Sequence, residues 1–230
     1  MKLSFAFLIA GLIFSLGCGG DELIMSDFSQ TEELVRKAPG ESLTDAIEVK
    51  YSEKFSTSAV GWSKIAGPGL LEVTSGVFMH TTMGSSVWCE YAYTVRTFAS
   101  GRYQLDIFVV DDAVNTAFVW RSPDTSIVTP NGGAYQATFN AGGHFVLEKF
   151  DSLGRTTLLD VPDSFLGLNR LVIDDRGKSV TVSINGVNYG TIDVTHLTRA
   201  RSGYMVLIGG DLGHGDYFDN IKISTPSSGY

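Results

Sequence analysis

The chain lacks most of the residue patterns that announce a chemistry. Two cysteines, Cys18 and Cys89, in 230 residues leave no material for a disulfide framework or a four-cysteine zinc site. The four histidines, His80, His144, His196 and His214, are scattered and show no H-E-x-x-H spacing, which argues against a catalytic zinc. There is no G-x-S-x-G nucleophile elbow and no phosphate-binding loop. Charged residues make up only 18% of the chain, and 25 acidic against 17 basic residues give a net charge of -8. Nucleic acid is therefore not an expected partner, and anionic headgroups are disfavoured. No segment from Ile47 to Ser224 sustains a helical period, and no repeat of fixed length occurs.

What is present is strand and turn. From Arg170 to Asp193, Val180, Val182 and Ile184 alternate with Thr181 and Ser183, the period of a half-buried strand. Asn185-Gly186 follows, a pair suited to the positive φ angles of a two-residue hairpin turn, and Val187 and Tyr189 resume beyond it. With Leu171 to Ile173 upstream, three strands in a meander are expected. Further candidates are Ile47–Phe55, Leu70–Val73, Val77–His80, Glu90–Phe98, Tyr103–Val110, Val114–Arg121, Ala134–Asn140, Phe145–Phe150, Thr157–Asp160, Tyr204–Ile208 and Tyr217–Ile223. In Tyr103–Val110, Phe108 and Val110 make the second face apolar too, as in a middle strand covered on both sides. Glycine-rich breaks separate these runs, a single helical turn is expected over Asp193–Thr198, and the pattern predicts one all-β domain, a two-sheet antiparallel sandwich.

The N-terminus reads as an address. Residues 1–17 carry Lys2, then an apolar run, then small residues, which is a secretory signal rather than a membrane span. Ser15-Leu16-Gly17-Cys18 resembles a bacterial lipoprotein lipobox, which implies lipidation of Cys18. Residues 18–46 form an acidic tether in which Ser29-Gln30-Thr31-Glu32 is a capping box for a short helix. The sandwich then occupies 47–225 and a tail 226–230. Cys89, left alone, is expected to be a small buried hydrophobe. The expected location is the bacterial cell envelope, as an outer membrane lipoprotein facing the periplasm or the surface and held to the membrane by its lipid anchor.

Across the domain, Phe55 with Gly61-Trp62, Gly101-Arg102-Tyr103-Gln104-Leu105, Asn169-Arg170-Leu171-Val172-Ile173, Ser183-Ile184-Asn185-Gly186, Gly203-Tyr204 and the closing Tyr217-Phe218-Asp219-Asn220-Ile221-Lys222-Ile223 occur in order. This set resembles the concanavalin A-like lectin and glucanase superfamily. The resemblance implies a jelly roll with one concave sheet, on which some members bind glycans and others hydrolyse them. The glucanase branch carries Glu-x-Asp-x-x-Glu on one strand, and no such spacing occurs here. No catalytic residue is assigned, and a glycan-binding module without its own catalysis is expected; a glycoside hydrolase or lyase, or a protein-binding envelope scaffold, are the alternatives. The resemblance also implies a structural calcium near the chain ends, with Glu53 and Asp219 as candidate ligands.

Sugar recognition usually combines an aromatic ring with amides and carboxylates that fix the hydroxyls. Trp88, Trp120 and Tyr135 are the candidate rings for a polysaccharide or glycan, with Arg121, Asn140 and His144 beside them. Asp211, His214 and Asp216 lie in a glycine-rich acidic loop that lets backbone approach a ligand closely. Trp62, Tyr103, Phe108 and Phe118 are expected in the core.

Overall fold

Period-two alternation places one set of side chains on each face of a strand, and the chain uses this to build two layers around a shared apolar interior. The computed structural model describes residues 48–84, 86–110, 115–123, 133–151, 154–195, 202–212 and 214–225. All of them belong to one unit of the chain, Leu43–Tyr230. The expectations for the signal segment, Cys18, the tether and its helix from Ser29, residues 196–198 of the expected helical turn and the tail 226–230 fall outside these residues.

One layer contains β1 (Val49–Glu53), β3 (Leu71–Thr74), β4 (Val77–His80), β6 (Gly101–Val109), β11 (Gly167–Asp175), β12 (Ser179–Ile184), β13 (Val187–Asp193) and β15 (Tyr217–Ser224). Its order is β13-β12-β11-β6-β15-β4-β3, with β1 also pairing to β15. The other contains β2 (Trp62–Ala66), β5 (Cys89–Phe98), β7 (Thr116–Ser122), β8 (Ala134–Phe139), β9 (His144–Asp151), β10 (Gly154–Ser164) and β14 (Gly203–Gly209), in the order β10-β9-β8-β7-β14-β5-β2. Every pairing is antiparallel, and a single turn of 3₁₀ helix at Ala141–Gly143 is the only helix among the described residues. This is the expected two-sheet jelly-roll sandwich.

The expected meander is β11-β12-β13. Val180, Val182 and Ile184 are fully buried, and Asn185 (φ 53°) with Gly186 (φ 82°) make the turn between β12 and β13. From the other sheet, Phe118, Trp120, Tyr135, Phe139, Phe145, Leu147 and Met205 enter the same buried cluster. Burying each such side chain contributes about 1.5–3 kcal/mol, so this interior dominates the stability of the fold.

Two details differ from the sequence reading. Trp62–Ala66 is a strand that the alternation did not mark, because only Trp62 of its five residues is buried; it is held at the sheet edge by pairing with β5. Phe108 is not in the core: β6 turns it to the outer face, where it stacks on Tyr217 with ring centres 5.0 Å apart and both rings are partly exposed.

Candidate functional site

On the face of the seven-stranded sheet turned away from the core, the middle strands carry small apolar side chains. Ala92, Ala117, Val119, Ala134, Val206 and Ile208 form a second buried cluster there. Cross-strand register sets Glu90 of β5 opposite Ile208 of β14, and Ile208 opposite Ala117 of β7. Gln136 of β8 lies opposite both Val119 and Glu148. A cavity of about 220 Å³ opens at this place, lined by Trp88, Glu90, Asn115, Gln136, Arg155 and Asp211 together with Ile208.

Local structure explains how these groups come together. Trp88 is fixed by its backbone: its N–H donates to Asp211 Oδ1 at 3.1 Å, and its carbonyl accepts from the Gly69 N–H at 3.0 Å. The Gly67-Pro68-Gly69 turn presses so closely on this segment that a Cβ on Gly67 would lie 2.2 Å from the Trp88 carbonyl oxygen, and Gly67 also holds φ at +82°. Only glycine meets both demands without strain. Gln136 is 2% exposed; its Nε2 donates to Thr138 Oγ1 at 2.8 Å, while its Oε1 is buried without a hydrogen-bond partner. Arg155 lies with its guanidinium 4.3 Å above the Phe150 ring and 3.5 Å from Glu148. Glu90 is 3% exposed.

Of the residues singled out in the sequence, Trp88 and Asp211 line this cavity. Trp120 and Tyr135 do not offer a platform: both are fully buried, stacked on each other at 5.2 Å inside the sandwich. Arg121 is also internal. It pairs with Asp175 of the other sheet, Nη2 to Oδ1 at 2.9 Å, and Trp120 Nε1 donates to the same carboxylate at 3.1 Å. Asp216 is buried and structural, accepting from the Val110 N–H at 2.7 Å and from the Thr116 hydroxyl, and so ties together β15, β6 and β7. Asn140 closes the 3₁₀ turn through backbone bonds to Gly143 and His144, and His144 pairs with Asp160 at 2.5 Å. His214 is exposed in the loop before β15, and neither it nor Asn140 or His144 is among the cavity residues.

Glu53, at the end of β1, lies opposite Ile221 of β15, the strand that carries Asp219. Glu53 Oε1 accepts the backbone N–H groups of Lys54 and Phe55, and among the described residues no group of three or more His, Cys, Asp and Glu is placed to hold a metal ion.

Glu90, Asn115, Gln136 and Arg155 were not singled out by the sequence. Their signal was a polar side chain inside an otherwise apolar strand, as with Glu90 and Gln136, which burial tolerates only where it is answered by a partner or a function.

No protein-family model and no curated protein sequence matches the chain. Solved structures do. The chain is similar to a carbohydrate-binding module, CBM66, from Bacillus subtilis, at 14% identity and a TM-score of 0.53, covering 71% of this chain and 95% of that one. It is similar to a Bacillus subtilis protein of unknown function with a galectin-like fold, at 11% identity and a TM-score of 0.61, covering 78% and 97%. It is also similar to the Bacillus licheniformis beta-glucanase, at 13% identity and a TM-score of 0.57, covering 76% and 97%. The fold is thus the concanavalin A-like jelly roll, shared by carbohydrate-binding modules and glycoside hydrolases. Identities this low define the fold and no narrower class.

Proposed function

We propose that the protein is an exported, lipid-anchored glycan-binding module of a bacterial cell envelope, without catalysis of its own. The observation that supports it is the cavity beside Trp88, where one indole, two amides, two carboxylates and a guanidinium converge on the outer face of a sheet. An aromatic ring takes the C–H face of a sugar, and the polar groups take its hydroxyls. The shared fold with a carbohydrate-binding module supports the same reading. The test is a glycan array and polysaccharide pull-down with the full chain. Binding of at least one glycan is expected, with Trp88→Ala weakening it roughly ten-fold, about 1.4 kcal/mol; no binding to any glycan, or undiminished binding by the variant, overturns the proposal.

One observation favours a second reading. Glu90 and Asp211 line the same cavity, and glycoside cleavage uses two carboxyl groups across the scissile bond. Reducing-sugar release by the full chain, abolished in Glu90→Gln, would place the protein among the hydrolases.

A further inference from the structure

His80, the last residue of β4, is the one buried histidine among the described residues, at 0% exposure. Its ring Nε2 lies 3.0 Å from the carbonyl oxygen of Val87. A carbonyl only accepts, so Nε2 carries the proton and donates. The N–H of the same peptide unit, that of Trp88, donates to Asp211 Oδ1 at 3.1 Å. The peptide between Val87 and Trp88 is therefore held at both of its poles, by His80 at the carbonyl and by Asp211 at the N–H. Turning that peptide would break both bonds and carry the indole with it.

Two glycines leave room for the ring. Neither Gly69 nor Gly209 holds a positive φ, so backbone conformation does not call for glycine at either place. Space does. A Cβ on Gly69 would lie 1.8 Å from the Val87 oxygen and 2.7 Å from His80 Nε2, in the path of the hydrogen bond, and one on Gly209 would lie 3.2 Å from His80 Cγ. The backbone of His80 adds a further joint: its N–H donates to the Asp216 carbonyl at 2.8 Å, and its carbonyl accepts from the Gly215 N–H at 2.9 Å. One residue thus grips both the segment that carries Trp88 and the stretch between β14 and β15 that carries Asp211, yet His80 is not itself among the cavity residues. A leucine would fill similar space, but it would leave the Val87 carbonyl without its donor, and a buried acceptor left unanswered is unfavourable.

We propose that His80 is the positioning residue of the cavity: its imidazole fixes the Val87–Trp88 peptide, and so the indole, and keeps the Asp211 side of the rim in register with it. This role rests on the glycan-binding reading above only for what the indole grips. The test compares His80→Gln, His80→Asn and His80→Leu in the full chain. Glutamine offers an N–H at a reach like that of imidazole Nε2, asparagine offers one only at the reach of Nδ1, and leucine offers none. In nitrogen-edited NMR spectra each of the three tryptophans gives one indole N–H resonance, and Trp88→Phe identifies that of Trp88. His80→Asn and His80→Leu are expected to shift it while leaving in place that of Trp120, which is bonded to Asp175; His80→Gln is expected to leave both in place. On an array of immobilised glycans, the asparagine and leucine variants are expected to bind about ten-fold more weakly than the parent, the size of one lost hydrogen bond, and the glutamine variant within about two-fold of it. Thermal melts separate loss of position from loss of fold: should the leucine variant unfold, the glutamine and asparagine pair decides. An unmoved Trp88 resonance or undiminished glycan binding in folded His80→Asn overturns the proposal, as does a glutamine variant no better than the asparagine one. Unfolding of all three overturns it as well, since His80 would then hold the fold and not the site. If the parent binds no glycan on the array, the glycan-binding reading falls, and the spectra alone decide the role of His80.

Discussion

Asp175 joins the two sheets through one buried carboxylate. It receives the indole N–H of Trp120, the guanidinium of Arg121 and the backbone N–H of Gly177, the last at 2.8 Å, while Asp175 is 0% and Arg121 3% exposed. Removing one partner of such a pair leaves the other charged and dry, which costs about 3–5 kcal/mol. Asp175→Ala should therefore lower the denaturant midpoint far more than Asp163→Ala on an exposed stretch of β10, and equilibrium unfolding of both variants measures the contrast. A subtler pair lies on the outside of the eight-stranded sheet. Burial pushes the Asp106 carboxyl up, but the two-pronged bond from Arg170 (2.8 and 3.0 Å) and the Asn220 amide outweigh it and hold the group below the usual range. Asp219 goes the other way: burial raises it, and the charges of Asp106 and Glu53 add to the rise. A carboxyl raised in the folded state binds its proton more tightly there, so its contribution to stability is present at low pH and lost as pH rises through the folded value. Asp219→Asn is accordingly expected to match the parent's thermal midpoint near pH 3 and to exceed it near pH 7. Asp106→Asn should do the reverse, losing stability only above the acid range. Melting both variants across pH 3–7 checks the two signs.

At the scale of strands and turns, the Gly67-Pro68-Gly69 segment sets where Trp88 stands. Gly67 and Gly76 both hold φ at +82°, yet a Cβ on Gly76 would meet nothing within 4 Å, whereas on Gly67 it would meet the Trp88 backbone at 2.2 Å. Gly76→Ala should cost only the left-handed backbone penalty of about 1–2 kcal/mol. Gly67→Ala should cost about 1–3 kcal/mol more for the crowding and should weaken glycan binding as well, because the atom displaced is main chain and carries the indole with it. Affinity and unfolding measured on the same two variants separate the effects. The same elements show what the sequence made legible. The β12–β13 hairpin could be read because Val180, Val182 and Ile184 share one face, Thr181 and Ser183 the other, and Asn185-Gly186 allows only a tight turn. β7 gave no such guidance: all of Thr116–Ser122 is buried, so neither face of the run looked different from the other, and Trp120 could be read as facing outward. Gln136 in β8 was hidden for the opposite reason. A polar residue in a strand reads as solvated, and only the fold reveals that it sits buried beside a cavity assembled from segments up to 123 residues apart, as Trp88 and Asp211 are.

For the whole molecule, net charge decides how a membrane can hold it. Residues 1–17 contain Lys2 and no acid, so the chain from Cys18 onward carries 16 basic and 25 acidic residues. An anionic surface repels such a protein, and the sequence holds no run of four or more Lys and Arg that would reinforce a weak anchor. Among the described residues no helix is long and apolar enough to cross a bilayer. Under the proposed lipidation, attachment would rest on acyl chains at Cys18, each buried methylene contributing about 0.8 kcal/mol; one chain alone holds only reversibly, whereas two or more hold firmly. Because charge adds nothing to the anchor, its loss should be complete rather than partial. Cys18→Ala, expressed in a bacterial host with its signal intact, is expected to leave the membrane fraction entirely and to lose incorporation of labelled fatty acid, while the melting temperature stays unchanged. Retention of the variant in the membrane fraction at both low and high salt would sink the lipid-anchor proposal, since neither acyl chains nor charge could then account for it.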